Sequence, residues 1–256
     1  MSVLKDLENF YKNFNGEKFS IGKSFQGREI YCFKVEKTPS PTIIVQSAIH
    51  AREFITTYLT FKLIEDFALN GKVGRVYFIP AVNPDGINIC QKYNPLYKAN
   101  ARGVDLNVNF NARWGTGKTN VKVCGYENYI GKSPFSELET CALRDFTLKI
   151  KPDMTVSYHS KGEEIYYEFH QSRKDKVRDK EYAKIVSKIT GYTIKSTPNS
   201  AGGYKDWCIE KLKIPALTIE VGEDQLSHPI GKRHQNKIFD KNKGVINALT
   251  EKLSGR

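Results

Sequence analysis

Ile43-Ile44-Val45-Gln46-Ser47-Ala48-Ile49-His50-Ala51-Arg52-Glu53 is the stretch on which the reading of this chain turns. Its β-branched apolar start has the pattern of a buried strand. Small residues then make a turn, and His50 and Glu53 follow, three residues apart, ahead of an apolar helical pattern. Imidazole and carboxylate are both good ligands for divalent zinc. The spacing places His50 where the strand stops and Glu53 in the first turn of the next helix. Both can then face one spot beyond the strand's carboxyl end, where open α/β sheets place their sites. Taken alone, the motif reads more readily as a surface histidine beside a helix-capping glutamate. The rest of the chain must supply a third ligand, a base and a cleft.

Outward from that stretch, strands and helices alternate. Upstream, Leu4, Leu7, Phe10, Tyr11 and Phe14 are spaced as an amphipathic helix over residues 4–14. Residues 19–24 and 29–35 alternate around Gln26-Gly27 and predict a hairpin. Pro39 and Pro41 precede the buried strand, placed at residues 42–49. Downstream, residues 54–69 predict a helix closed by Asn70-Gly71, and residues 75–82 a second buried strand. Asn83-Pro84-Asp85-Gly86 is read as a turn, with no lasting helix from 87 to 134. Loops that long in a compact domain tend to be functional. Ser136 and Glu139 have capping-box spacing ahead of a helix to about residue 150. Further strands are expected at residues 154–159, 164–169, 192–196 and 216–221, and helices at 179–190, 204–211 and 232–253. The expectation is a single α/β domain over residues 1–256, an α/β/α sandwich with a mixed, mostly parallel central sheet.

The totals narrow the classes. The 256 residues are 39% hydrophobic and 27% charged, enough for a buried core and too apolar for a disordered chain. Cys32, Cys90, Cys124, Cys141 and Cys208 are scattered, odd in number and lack a C-x-x-C pair. That argues against a disulfide framework and against a cysteine-built zinc site. The start, Met1-Ser2-Val3-Leu4-Lys5-Asp6-Leu7-Glu8, lacks the apolar core of a secretory signal. No run approaches the roughly eighteen apolar residues of a membrane span. A cytoplasmic protein with no membrane partner is expected. The net charge of +12 raises nucleic acid as a partner, but the lysines are dispersed rather than striped with aromatics. No nucleic-acid partner is expected, and an anionic substrate is the second use of such charge.

Three buried-looking strands end in ionisable side chains: His50, His159 and Glu220. Two histidines and one glutamate around a vacant fourth position is the pattern of a catalytic zinc site, with His50 and Glu53 close in sequence and His159 distant.

With these residues in place, the chain resembles the zinc metallocarboxypeptidases, which share the carboxypeptidase A fold. His50-Ala51-Arg52-Glu53, Asn83-Pro84-Asp85-Gly86, Gly103-Val104-Asp105-Leu106-Asn107, Ser157-Tyr158-His159-Ser160 and Thr218-Ile219-Glu220-Val221-Gly222 carry the resemblance, in the family's order, over roughly residues 20–250. The resemblance implies one zinc ion held by His50, Glu53 and His159, and Glu220 as the general base. It implies Asp105 as the carboxylate that orients the His50 ring. It places Lys98 where the family has the cation that faces the developing oxyanion.

Two departures bear on substrate. The family's Asn-Arg clamp for a terminal carboxylate reads Asn107-Val108 here, and valine cannot make a bidentate pair. The family's mobile tyrosine falls near Pro198. A subgroup is closer. Tyr158-His159-Ser160-Lys161-Gly162-Glu163-Glu164-Ile165-Tyr166 and Ala201-Gly202-Gly203-Tyr204-Lys205-Asp206-Trp207 resemble bacterial γ-D-glutamyl-L-diamino acid (diaminopimelate) peptidases of cell-wall muropeptides. Substrate binding is then expected from Arg102, Asn107 and Lys205. The expected activity is hydrolysis of that bond in small anionic peptides. The enzyme alternatives are removal of C-terminal residues and deacylation of another small anionic amide. The non-enzymatic alternative is an inactive zinc-binding peptide-recognition protein, against which the intact base and ligand set argue.

Overall fold

The computed structural model describes residues 2–255. The strands are β1 (Glu17–Lys23), β2 (Glu29–Glu36), β3 (Thr42–Ser47), β4 (Arg75–Ile79), β5 (Met154–His159), β6 (Glu164–Tyr166), β7 (Thr193–Ile194) and β8 (Ala216–Glu220). The helices are α1 (Val3–Asn13), α2 (Ile55–Asn70), α3 (Pro84–Lys92), α4 (Leu138–Ile150), α5 (Arg173–Thr190), α6 (Tyr204–Trp207), α7 (Gln235–Asn242) and α8 (Val245–Ser254).

The strands form one sheet in the order β1-β2-β4-β3-β5-β8-β6-β7. The four central strands, β4, β3, β5 and β8, run parallel, while β1, β2 and β6 join antiparallel. A parallel centre needs cover on both faces. Alternation along the strands supplies apolar groups to each: Ile43, Val45, Val76, Phe78, Val156 and Leu217 meet α1, α2, α5, α7 and α8 in one cluster. Ile44, Tyr77, Ile79 and Ala216 meet α4, α6 and the segment around Leu106 and Phe110 in the other. The first is here the helical face and the second the loop face. The sheet is the mixed, mostly parallel one expected, with helices on both sides.

Several local expectations change. Asn83-Pro84-Asp85-Gly86 starts α3 rather than making a free turn. Asn83 Oδ1 accepts from Gly86 N at 2.9 Å, and Pro84 takes the first helical position, where its missing N–H costs nothing. The same Asn83 donates through Nδ2 to Ile49 O at 3.1 Å and Ala99 O at 3.0 Å, joining the end of β3 to the loop at 97–105. Gly86 admits this approach, since a Cβ there would lie 2.3 Å from Ala99 O. No capping box forms before α4: Ser136 Oγ donates to Glu137 instead. α5 begins earlier than expected because Ser172 caps it, its hydroxyl accepting from Asp175 N at 3.1 Å. The closing helix is two helices, parted at Gly244 with φ of 81°. The strand expected at 164–169 ends at Tyr166, and β7 has only two residues.

Among the described residues, no helix is long and apolar enough to cross a membrane.

Candidate functional site

The carboxyl ends of β3, β5 and β8 converge. His50 follows β3 and opens a short 3-10 turn, Ala51–Glu53, that places Glu53 one turn above it. His159 ends β5 and Glu220 ends β8, and the parallel register sets those two side by side. His50, Glu53 and His159 are all buried.

The side chains point at a common centre. His50 Nδ1 lies 2.9 Å from Glu53 Oε1, His159 Nδ1 lies 3.0 Å from Glu53 Oε2, and the two Nδ1 atoms are 3.2 Å apart. One ligand atom from each of the three residues falls within 4.8 Å of the others. On the far side of the His50 ring, Nε2 lies 3.2 Å from Asp105 Oδ1, the carboxylate placed to hold a proton on that nitrogen. A proton held there leaves the inward Nδ1 lone pair free. Two inward nitrogens and a carboxylate, in a buried position, fit a zinc ion in kind and number.

Charge is balanced around this centre. Burial opposes ionisation of Asp105, but Lys98 and His50 outweigh it and hold the carboxyl well below its usual range. Lys98 Nζ lies 2.7 Å from Asp105 Oδ2 and 3.2 Å from Asn128 Oδ1, on a side chain 16% exposed. Burial also opposes ionisation of Glu53, and the two histidines reverse that, so its carboxyl too sits well below the ordinary value. Glu220 is the opposite case. Burial raises it, His159 lowers it, Glu53 raises it again, and the balance lies at about 8. Its Oε2 is buried without a protein partner. A carboxyl so placed can exchange a proton near neutral pH.

The structure therefore brings together His50, Glu53, His159, Asp105, Lys98 and Glu220. Asn107 lies on the loop-face wall beside them, its Oδ1 accepting from Tyr204 N at 3.1 Å. That wall is tightly fitted: Phe110 N donates to Gly202 O at 2.9 Å, Gly202 N to Ala112 O at 2.8 Å, and Gly202 has φ of 85°, with Val108 O only 2.8 Å from where a Cβ would sit. Lys205 is buried within the wall, with Nζ donating to Asp206 Oδ1 at 2.6 Å and Glu168 O at 2.8 Å. Its ammonium thus already has partners. It lies over the Phe169 ring at 5.5 Å, next to a cavity of about 330 Å³ lined by Glu168, Phe169, His170, Gln171, Pro198 and Ser200. Arg102 is drawn away from the centre, 3.6 Å from Glu137 and over the Phe25 ring at 5.4 Å. Sequence reasoning missed His228. It lies on the loop after β8, close enough to Glu53, Arg52, Lys161 and His50 to feel their charges. A histidine eight residues beyond a strand end carries no motif that could have revealed it.

Comparisons with known proteins agree with this geometry. Residues 1–232 match the zinc carboxypeptidase family. The chain is 27% identical to γ-D-glutamyl-L-diamino acid endopeptidase 1 of Lysinibacillus sphaericus over 91% of its own length and spans 66% of that protein. It is 30% identical to a zinc carboxypeptidase of Simulium vittatum, over 78% of this chain and 76% of that one. Among solved structures, bovine thrombin-activatable fibrinolysis inhibitor in complex with tick carboxypeptidase inhibitor superposes with a TM-score of 0.87 at 22% identity, covering 100% of this chain and 97% of that one. At that identity the likeness is one of fold.

Proposed function

The chain belongs to the zinc carboxypeptidase family, and from that premise we propose that it hydrolyses the γ-D-glutamyl-diamino acid bond of small muropeptides. The observation that carries hydrolysis is the pairing of the His50–Glu53–His159 centre with Glu220 on the adjoining strand. A binding protein has no need of a raised, unpartnered carboxyl beside its metal ligands. His50, Glu53 and His159 would hold a zinc ion, which would supply an acidified water and a Lewis acid for the scissile carbonyl. Glu220 takes the proton from the attacking water and delivers it to the leaving nitrogen, so that the amine departs neutral. Asp105 keeps the His50 ring turned inward. Lys98, paired with Asp105, adds positive charge beside the centre, which favours a carbonyl oxygen that becomes negative.

Substrate choice rests on weaker signals that point one way. Val108 stands where a terminal-carboxylate clamp needs arginine. The relative from Lysinibacillus sphaericus, matched over 91% of this chain, is a γ-D-glutamyl-L-diamino acid endopeptidase. We place the diamino acid against the loop-face wall at Asn107 and Val108, behind which Lys205 is already spent on Asp206 and Glu168. Trimming of ordinary C-termini is the second reading, favoured by the Simulium vittatum relative. The zinc-loaded protein is to be incubated with a panel of muropeptides and ordinary peptides and the products weighed by mass spectrometry. Release of diaminopimelate-bearing fragments from γ-D-glutamyl peptides is expected; efficient trimming of ordinary peptides alone would refute the reading.

A further inference from the structure

The loop from Tyr97 to Asp105 carries two groups of the centre, Lys98 near its start and Asp105 at its end. Their side chains meet at 2.7 Å, and Asp105 reaches the His50 ring at 3.2 Å. Between them the chain reverses, and the reversal is built on one buried side chain, Asn100. Its Oδ1 accepts from Arg102 N and Val104 N, both at 3.0 Å, while its own N donates to Val104 O at 2.8 Å. Its carbonyl accepts from Gly103 N at 3.0 Å and from the Tyr97 hydroxyl at 2.6 Å. A side-chain oxygen thus takes the part of a backbone carbonyl in holding the turn.

The other end of the amide points out of the loop. Nδ2 donates to Glu137 Oε2 at 2.8 Å and to Glu139 Oε2 at 3.2 Å. Glu137 stands at the cap position of α4 and Glu139 in its first turn, so both acceptors are fixed to a helix. Both carboxylates are buried. Glu139 also holds Phe25 N at 3.2 Å, and Glu137 has Ser136 Oγ at 2.7 Å and Arg102 Nε at 3.6 Å. Burial pushes the Glu139 carboxyl above its usual value, against the N–H groups that bond to it. Carboxylates taken out of water in this way cost stability, and well-packed apolar groups in their place would cost less. What they supply is direction. An amide with two hydrogens to donate has one way to lie between two fixed acceptors while its oxygen takes two loop N–H groups.

We infer that Asn100, clamped between Glu137 and Glu139, is a positioning residue for the centre: it sets the loop reversal that presents Asp105 to His50 and Lys98 to the reacting carbonyl. The part played through Lys98 rests on the reaction proposed above. The part played through Asp105 does not, because it acts on the grip of His50 on the metal.

Asn100→Asp keeps the oxygen that holds the loop and turns the donor into a third carboxylate facing the other two. Zinc affinity is read by competition between the full chain and a fluorescent chelator, with no substrate present. Loss of support behind a metal ligand typically costs about 10–100-fold in metal affinity or activity, so zinc should bind at least about tenfold more weakly. At saturating zinc, kcat on γ-D-glutamyl-diaminopimelate peptides should fall by a similar factor with KM little changed, since Lys98 acts where charge develops. Adding Glu137→Gln returns a donor to the introduced oxygen and should recover most of both losses. Asn242→Ala is the control for lost stability alone. It removes a buried amide on the helical face that bonds Tyr192 Oη at 3.0 Å and Ile238 O at 2.9 Å, and should lower Tm without moving zinc affinity. If Asn100→Asp does not fold, Asn100→Ser, which drops the amide without adding a charge, takes the same measurements. A variant at Asn100 that loses stability but holds zinc as the wild type does overturns the inference, as does a loss in Asn100→Asp that Glu137→Gln fails to recover. Wild-type cleavage of the γ-D-glutamyl peptides in that case leaves the proposed function standing. Zinc affinity that tracks Asn100 and Glu137, with no cleavage of those peptides by the wild type, keeps the positioning role and sinks the proposed reaction.

Discussion

The centre of the cleft and its walls are built on different principles. At the centre, His159 and Glu220 sit on neighbouring parallel strands, and His50 and Glu53 follow a third, so hydrogen bonds along the sheet fix their spacing. The walls are stretches without regular pairing: residues 105–112 and 201–207 on one side, 222–231 on the other, held by single backbone contacts and by lysines bound to aspartates. Chemistry placed on strand ends leaves little freedom to vary, whereas specificity placed on loops can change without disturbing it. Substitutions at the centre should therefore cost turnover for every substrate, and substitutions in the walls should change preference.

The sharpest way to break that division is His50→Ala. Removing one of three converging ligands should abolish zinc content and turnover together. The loss should exceed the roughly 10–100-fold that removal of a ligand's supporting carboxylate costs. Elemental analysis and a peptidase assay check it, and full zinc occupancy in the variant would show that the centre does not depend on this ring. Glu220→Gln comes next. Zinc and fold should persist while kcat falls by about 10²–10⁴-fold, the usual contribution of a general base. Near wild-type kcat with full metal would remove Glu220 from the mechanism. The smallest effect belongs to the wall. Val108→Arg should raise kcat/KM on ordinary C-terminal substrates relative to γ-D-glutamyl peptides by on the order of tenfold, by restoring a carboxylate fork. An unchanged ratio would mean that this wall does not face the leaving residue. Lys205→Ala should act mainly on stability, because Asp206 is 2% exposed and would lose a partner at 2.6 Å.

The same contrast explains what the sequence disclosed. The sheet was legible because β-branched runs such as Ile43–Val45 and Thr155–Val156 have the composition of buried strands, and because three of those strands finish on ionisable residues. The convergence of His50, Glu53 and His159 follows from strand order and register, which put strand ends side by side. Lys205 and Arg102 were harder. A lysine followed by an aspartate gives no sign of whether its charge is free, and the structure shows it spent on Asp206 and Glu168. Arg102 turns to Glu137, a partner 35 residues away that no local pattern connects to it. α3 was missed because Asn-Pro-Asp-Gly has the composition of a turn and of a capped helix start alike. The backbone bond from Ile87 N to Asn83 O at 3.1 Å, together with the cap from Gly86 N to Asn83 Oδ1, tells the two apart. His228 depends wholly on how the loop after β8 folds back over the strand ends.

Asn83 has a consequence of its own. One side-chain amide holds Ile49 O, adjacent to His50, and Ala99 O, adjacent to Lys98, while its oxygen starts a helix. Three segments separated in the chain thus meet at one amide, beside a direct backbone bond from Ala51 N to Lys98 O at 3.0 Å. Anyone wishing to reshape the long loop after α3 inherits that joint as a fixed point. Loops can be exchanged on either side of it, provided the replacement returns a carbonyl to the same buried amide.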